Sequence, residues 1–149
     1  MEKVKLKKSM EQAVCVLLLL ELEKKYTPIK SKKISERLEV SDSYLKKILR
    51  KLVVENLISS DVSKDGGFSL ARDLSEISML DVYNAIEGRG EFLNLSNLAE
   101  RVFNDKKKIV SREMDIMKVI KEGEELFLKK LDSYPLSRLL GIIDKVERK

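Results

Sequence analysis

Histidine and tryptophan are absent from the chain, cysteine occurs once and proline twice, and aromatic residues make up only 5%. With no His and Cys15 alone, neither a zinc site, nor a Cys-His pair, nor a Ser-His-Asp triad can be assembled. No plausible carboxylate pair completes an acid, base and nucleophile set, so the chain is not expected to be an enzyme or to hold a metal or cofactor. One thiol cannot close an intrachain disulfide, and nothing points to an oxidising compartment, so a cytoplasmic protein is expected. The longest apolar run, Ala13 to Leu20, lies between Glu11 and Glu21 and is far short of a membrane span. It is followed by no small-residue cleavage site and does not read as a signal peptide.

What remains is a chain of 149 residues that is 43% apolar and 37% charged, a composition suited to helices with Lys- and Glu-laced faces. The expected fold is mainly α with a small β-hairpin. The net charge of +5 is unevenly placed: residues 1–72 carry 16 Lys and Arg against 10 Asp and Glu, whereas residues 73–149 carry 14 against 15. A basic half joined to a near-neutral half suggests a polyanion-binding module attached to something that assembles or senses.

Apolar periodicity predicts a buried first helix over Ser9 to Lys24, broken at Tyr26-Thr27-Pro28 because proline disfavours helix in the residue before it. Ser31 is a plausible N-cap for a short second helix ending at Leu38. After a tight connection, Ser41 is placed to cap a third helix whose Leu45, Ile48, Leu49, Leu52 and Val53 share one face. Glu55-Asn56-Leu57 reads as its stop, with Asn56 in the left-handed conformation. Two short β runs, Leu57 to Val62 and Phe68 to Leu70, flank a glycine-containing loop and read as a hairpin. Ser78 with Asp81 predicts a capped fourth helix that stops at Gly88. Residues 89–104 suggest at most a short helix. From Asp105 to Leu131 runs a long helical pattern in which Met114, Met117, Ile120, Phe127 and Leu131 form an apolar stripe. A helix of roughly 25 residues spans about 37 Å, more than the roughly 26 Å diameter of a 100-residue domain, so part of it is expected to project and find a partner. A final segment, Leu136 to Val146, is apolar enough to dock.

Three helices, the third following the second through a tight turn, and then a hairpin give the order of a winged helix-turn-helix. The third helix is left with Ser43, Lys46, Lys47, Arg50 and Lys51 facing outward, a set suited to base edges and phosphates in a major groove. Ser41 adds a hydroxyl, and Lys64 at the hairpin tip offers a cation to a minor groove. Lysines on a helix face are also often merely solvated; the element order, the hairpin and the charge asymmetry together favour DNA. A winged-helix module that binds protein is the alternative. Cys15 reads as a buried structural thiol, with an oxidation sensor as the other possibility.

Several stretches resemble one family closely. Ile34 to Leu49, Leu52 to Ile58, Gly66 to Ala71, Ile77 to Gly88 and Glu124 to Leu140 are similar to the bacterial winged-helix regulators of the Rrf-two (Rrf2) family. The resemblance implies that Ser41, Ser43, Tyr44 and Lys46 open a DNA-reading helix, and that the long helix dimerises. It implies a homodimer on a pseudo-palindromic duplex operator, with repression by occlusion. The expected segments are a winged helix-turn-helix domain at 1–72, a connecting helix and loop at 73–104, and a dimerisation helix with C-terminal segment at 105–149. Cluster-binding relatives carry three cysteines in the region matching residues 88–112, and here there are none. No iron-sulfur cluster is expected; the signal would be a small molecule, a protein partner or Cys15.

Overall fold

The computed structural model describes residues 6–63 and 66–143. Helix α1 (Ser9–Leu22) turns Met10, Ala13, Val16, Leu17 and Leu20 to one side, where they are buried. Cys15 stands half-buried beside that stripe and not within it, because its position falls between the buried faces. The helix is shorter than its sequence pattern, giving way to a 3-10 turn at Lys24–Tyr26.

Helix α2 (Ser31–Leu38) has Ser31 as its first residue, and Lys30 is the cap position without a side-chain hydrogen bond. The expected Ser31 cap is therefore not formed. The helix closes on Glu39 in the left-handed region, where the Glu39 and Val40 amides donate to the Glu36 and Ser35 carbonyls. This Schellman-type closure makes the tight turn into α3 (Asp42–Val54). The same closure ends α3: Asn56 is left-handed, and the Asn56 and Leu57 amides donate to Val53 and Leu52. Leu57 then packs into the core fully buried, as its place after the stop suggested.

Strands β1 (Ile58–Ser60) and β2 (Phe68–Leu70) pair antiparallel, with Ile58 opposite Leu70 and Ser60 opposite Phe68. Ile29 adds a bridge on the far side of β2, exchanging both backbone hydrogen bonds with Phe68. Lys64 lies outside the described residues. Helix α4 (Met79–Glu87) begins with the expected capping box between Ser78 and Asp81 and ends at Gly88, φ 83°. Helices α5 (Leu98–Val102), α6 (Lys106–Asp132) and α7 (Leu140–Ile143) complete the set.

The chain divides into two compact units, residues 1–88 with 132–149, and residues 89–131. Both α4 and the docked C-terminal turn thus belong to the first unit. There the core joins α1, Ile34 of α2, Leu45, Ile48, Leu49 and Leu52 of α3, Ile58, and Val82 and Ile86 of α4. Leu136 is sealed into it, its amide donating to the Ile77 carbonyl at 2.8 Å. At roughly 1.5 to 3 kcal/mol for each large aliphatic side chain fully buried, this cluster is what fixes α3 in place. The second unit holds no buried side chain among its described residues. Phe127 of α6 meets Phe92, with ring centroids 5.8 Å apart.

Candidate nucleic-acid interface

The burial of one face of α3 fixes what the other presents. Leu45, Ile48, Leu49 and Leu52 point inward, so Ser43, Tyr44, Lys46, Lys47, Arg50 and Lys51 lie outside, all exposed. Ser41 caps the helix: its Oγ accepts from the Tyr44 amide at 3.3 Å, and its own hydroxyl proton remains available. The capped N-terminal turn, carrying the positive end of the helix dipole, therefore stands at the leading edge of a hydroxyl- and cation-bearing face.

The cations on this face differ in their surroundings. Lys47 and Arg50 have no ion-pair partner among the described residues. Lys46 is paired with Asp42 one turn back, Nζ to Oδ2 3.0 Å. Lys51 turns away: its Nζ donates to the Ile86 carbonyl at 3.3 Å, and Lys7 Nζ reaches the same oxygen at 3.5 Å. Two ammonium groups thus finish the C-terminal end of α4, where the helix dipole is negative. Lys51 is in this respect a fastening between α3 and α4, a long-range contact that local spacing does not reveal.

Asp42 is lowered from the ordinary carboxylate pKa, first by the hydrogen bond from Lys46, then by the Ser31 hydroxyl and the charges of Lys46 and Lys32. Lys30, Lys32 and Lys33 are exposed around the beginning of α2, with Lys33 Nζ over the Tyr26 ring at 5.8 Å from its centroid. Arg37, at the other end of α2, is engaged by Glu23.

Cys15 carries a thiol pushed above its ordinary pKa by burial first and by the Glu11 charge second. Both effects keep the sulfur protonated, which works against redox sensing.

The stripe expected on α6 is divided by the structure. Met117, Phe127 and Leu131 are partly covered within the chain, while Met114 and Ile120 are exposed. Around the helix from these, Ile116, Val119 and Leu126 are also exposed, the last two at 67% and 71%. These three lie outside the spacing of the expected stripe, each with a charged residue before it and an apolar one after it.

The Rrf2 family model, described as an iron-dependent transcriptional regulator, matches residues 6–141. Iron-sulfur clusters are held chiefly by thiolates, whereas this chain offers one Cys and no His. No group of three or more Cys, Asp and Glu that could hold a metal occurs among the described residues. The donor set does not fit an iron centre.

YwgB of Bacillus subtilis, a candidate HTH-type transcriptional regulator, is 37% identical over 154 aligned positions that cover 93% of this chain and 99% of the relative. Among solved structures, IscR of T. potens superposes with a TM-score of 0.64 at 20% identity, covering 98% of this chain and 94% of that one. CymR, the global cysteine regulator of B. subtilis, gives 0.57 at 21% identity, with 94% and 98% covered. These relatives are regulators and not enzymes, and the two structures share this winged-helix fold. With the family match spanning nearly the whole described chain, the protein belongs to the Rrf2 family of transcriptional regulators.

Proposed function

We propose that the protein is a homodimer that binds a pseudo-palindromic DNA operator through its two α3 helices and represses transcription by occluding the promoter. The observation that carries the reading is the outer face of α3, where Ser43, Tyr44, Lys46, Lys47 and Arg50 stand exposed on a helix locked by its buried side. Arg50 and Lys47, without an ion-pair partner among the described residues, suit phosphates; Ser41, Ser43 and Tyr44 at the capped end suit base edges and backbone oxygens. A protein acting on DNA in this way works in the cytoplasm, and no helix among the described residues is long and apolar enough to cross a membrane.

The dimer is supported by α6. A helix of 27 residues without one buried residue in its own chain exposes Val110, Met114, Ile116, Val119, Ile120 and Leu126. Helices gain most of their stability from packing an apolar face, and a second α6 supplies one. The releasing signal is assigned to a small molecule or a protein partner, given the protonated thiol of Cys15 and the unsuitable donors for iron.

Selection of duplexes from a random pool tests the reading. A two-fold related motif is expected, its half-sites about 10 base pairs or a multiple apart. Recovery of no common motif would leave a general DNA binder, and recovery of no DNA a protein-binding module.

A further inference from the structure

The outer face of α3 carries one carboxylate among its cations. Asp42 is the first residue of the helix, and its Oδ2 holds Lys46 Nζ at 3.0 Å across one helical turn. The pair sits at the end of α3 that carries Ser41, Ser43 and Tyr44. Its two side chains are 40% and 63% exposed, so both remain within reach of an approaching duplex. The positive charge of Lys32 on α2 also favours the ionised carboxylate.

We infer that Asp42 is a specificity-determining residue that withholds Lys46 from non-specific DNA; the inference rests on the DNA-binding reading above. A duplex of arbitrary sequence offers Lys46 only phosphates. To reach one, the ammonium must leave Asp42, and the freed carboxylate then faces the polyanion without a partner. One favourable contact is thereby exchanged for one repulsion, and the net count of neutralised phosphates does not rise. On the operator, a cytosine amine can donate to the released carboxylate, or a guanine can accept from Lys46, so opening the pair is compensated there. The cost falls on wrong sequences, a familiar route to discrimination. Lys47 and Arg50, which have no such tether, supply attraction to any duplex.

Salt dependence reads the number of phosphates neutralised, because each contact releases condensed counterions and steepens the logarithmic slope by about 0.9. Asp42→Asn is therefore expected to steepen the slope on a mixed-sequence duplex by about 0.9. At roughly 0.15 M salt that exponent corresponds to about fivefold tighter binding. The ratio of affinities for a pool-selected duplex over the mixed one should fall. Lys46→Met alone strips Asp42 of its partner and leaves the carboxylate facing the phosphates, so the mixed-sequence slope is expected to become shallower and not steeper. Adding Lys46→Met to Asp42→Asn should cancel the gained slope. An Asp42→Asn effect that persists undiminished with Met at position 46 would assign it to direct repulsion and overturn the inference. Absence of salt-dependent binding by the wild-type protein to any duplex would instead strike the DNA-binding reading itself.

Discussion

Ser41 joins local stability to the proposed DNA-binding face. Its Oγ accepts the Tyr44 amide, and loss of such a cap costs about 1 kcal/mol. Ser41→Ala is therefore expected to lower the urea unfolding free energy by that amount and to weaken DNA binding as the first turn of α3 frays. Cys15 provides a second residue-scale test. With its thiol pushed up by burial and Glu11, iodoacetamide should alkylate the native protein at mildly alkaline pH more slowly than an unstructured cysteine peptide. Equal or faster reaction would restore the sensor role. The linkage signs follow from the same shifts. A raised thiol makes the folded state hold its proton more tightly, so that contribution is lost as pH rises through the ordinary thiol range. Asp42, Asp61 and Asp73 are lowered by hydrogen bonds from Lys46, Ser63 and Ser75. Their contribution is present above the ordinary aspartate value of about 3.9 and lost as pH falls below it. Urea midpoints should accordingly decline on the acid side, and Asp73→Asn should flatten that decline.

At the scale of elements, the wing is fastened at its base by close backbone approach. Gly67 has φ 115°, and a Cβ there would meet Pro28 and Ile29 atoms at 3.0 Å. Gly67→Ala is expected to destabilise the protein by roughly 1 to 3 kcal/mol, with loss of the amide protection of Phe68 and Ile29 in hydrogen exchange. At the end of α3, Asn56 is left-handed at φ 58°, so Asn56→Gly should be tolerated while a β-branched replacement should not. These stops and caps were legible in sequence because they act within a few residues: Ser41, Asn56, and Ser78 with Asp81 all do locally what their spacing implies. Contacts between elements were not. The ammonium of Lys51 on the Ile86 carbonyl spans 35 residues, and Ile29 joins the sheet from before α2. The apolar residues of α6 were read as one stripe because periodicity alone does not show that Phe92 takes up Phe127.

For the whole molecule, the second unit has exposed apolar side chains on α6 and none buried among its described residues. Val119→Glu with Leu126→Glu is expected to yield monomers by sedimentation while leaving the core of the first unit folded, because neither residue belongs to that core. The variant should lose most operator affinity, since two half-sites must be held by one particle. The central claim is that α3 delivers sequence-specific DNA recognition, and it is tested most directly by titrating the wild-type protein with a pool-selected duplex and a mixed-sequence duplex at several salt concentrations. The account expects two chains per selected duplex, binding there about 10³-fold or more tighter than to the mixed one at physiological salt, and affinities that fall steeply as salt rises. Equal affinity for the two duplexes, or binding indifferent to salt, would contradict it.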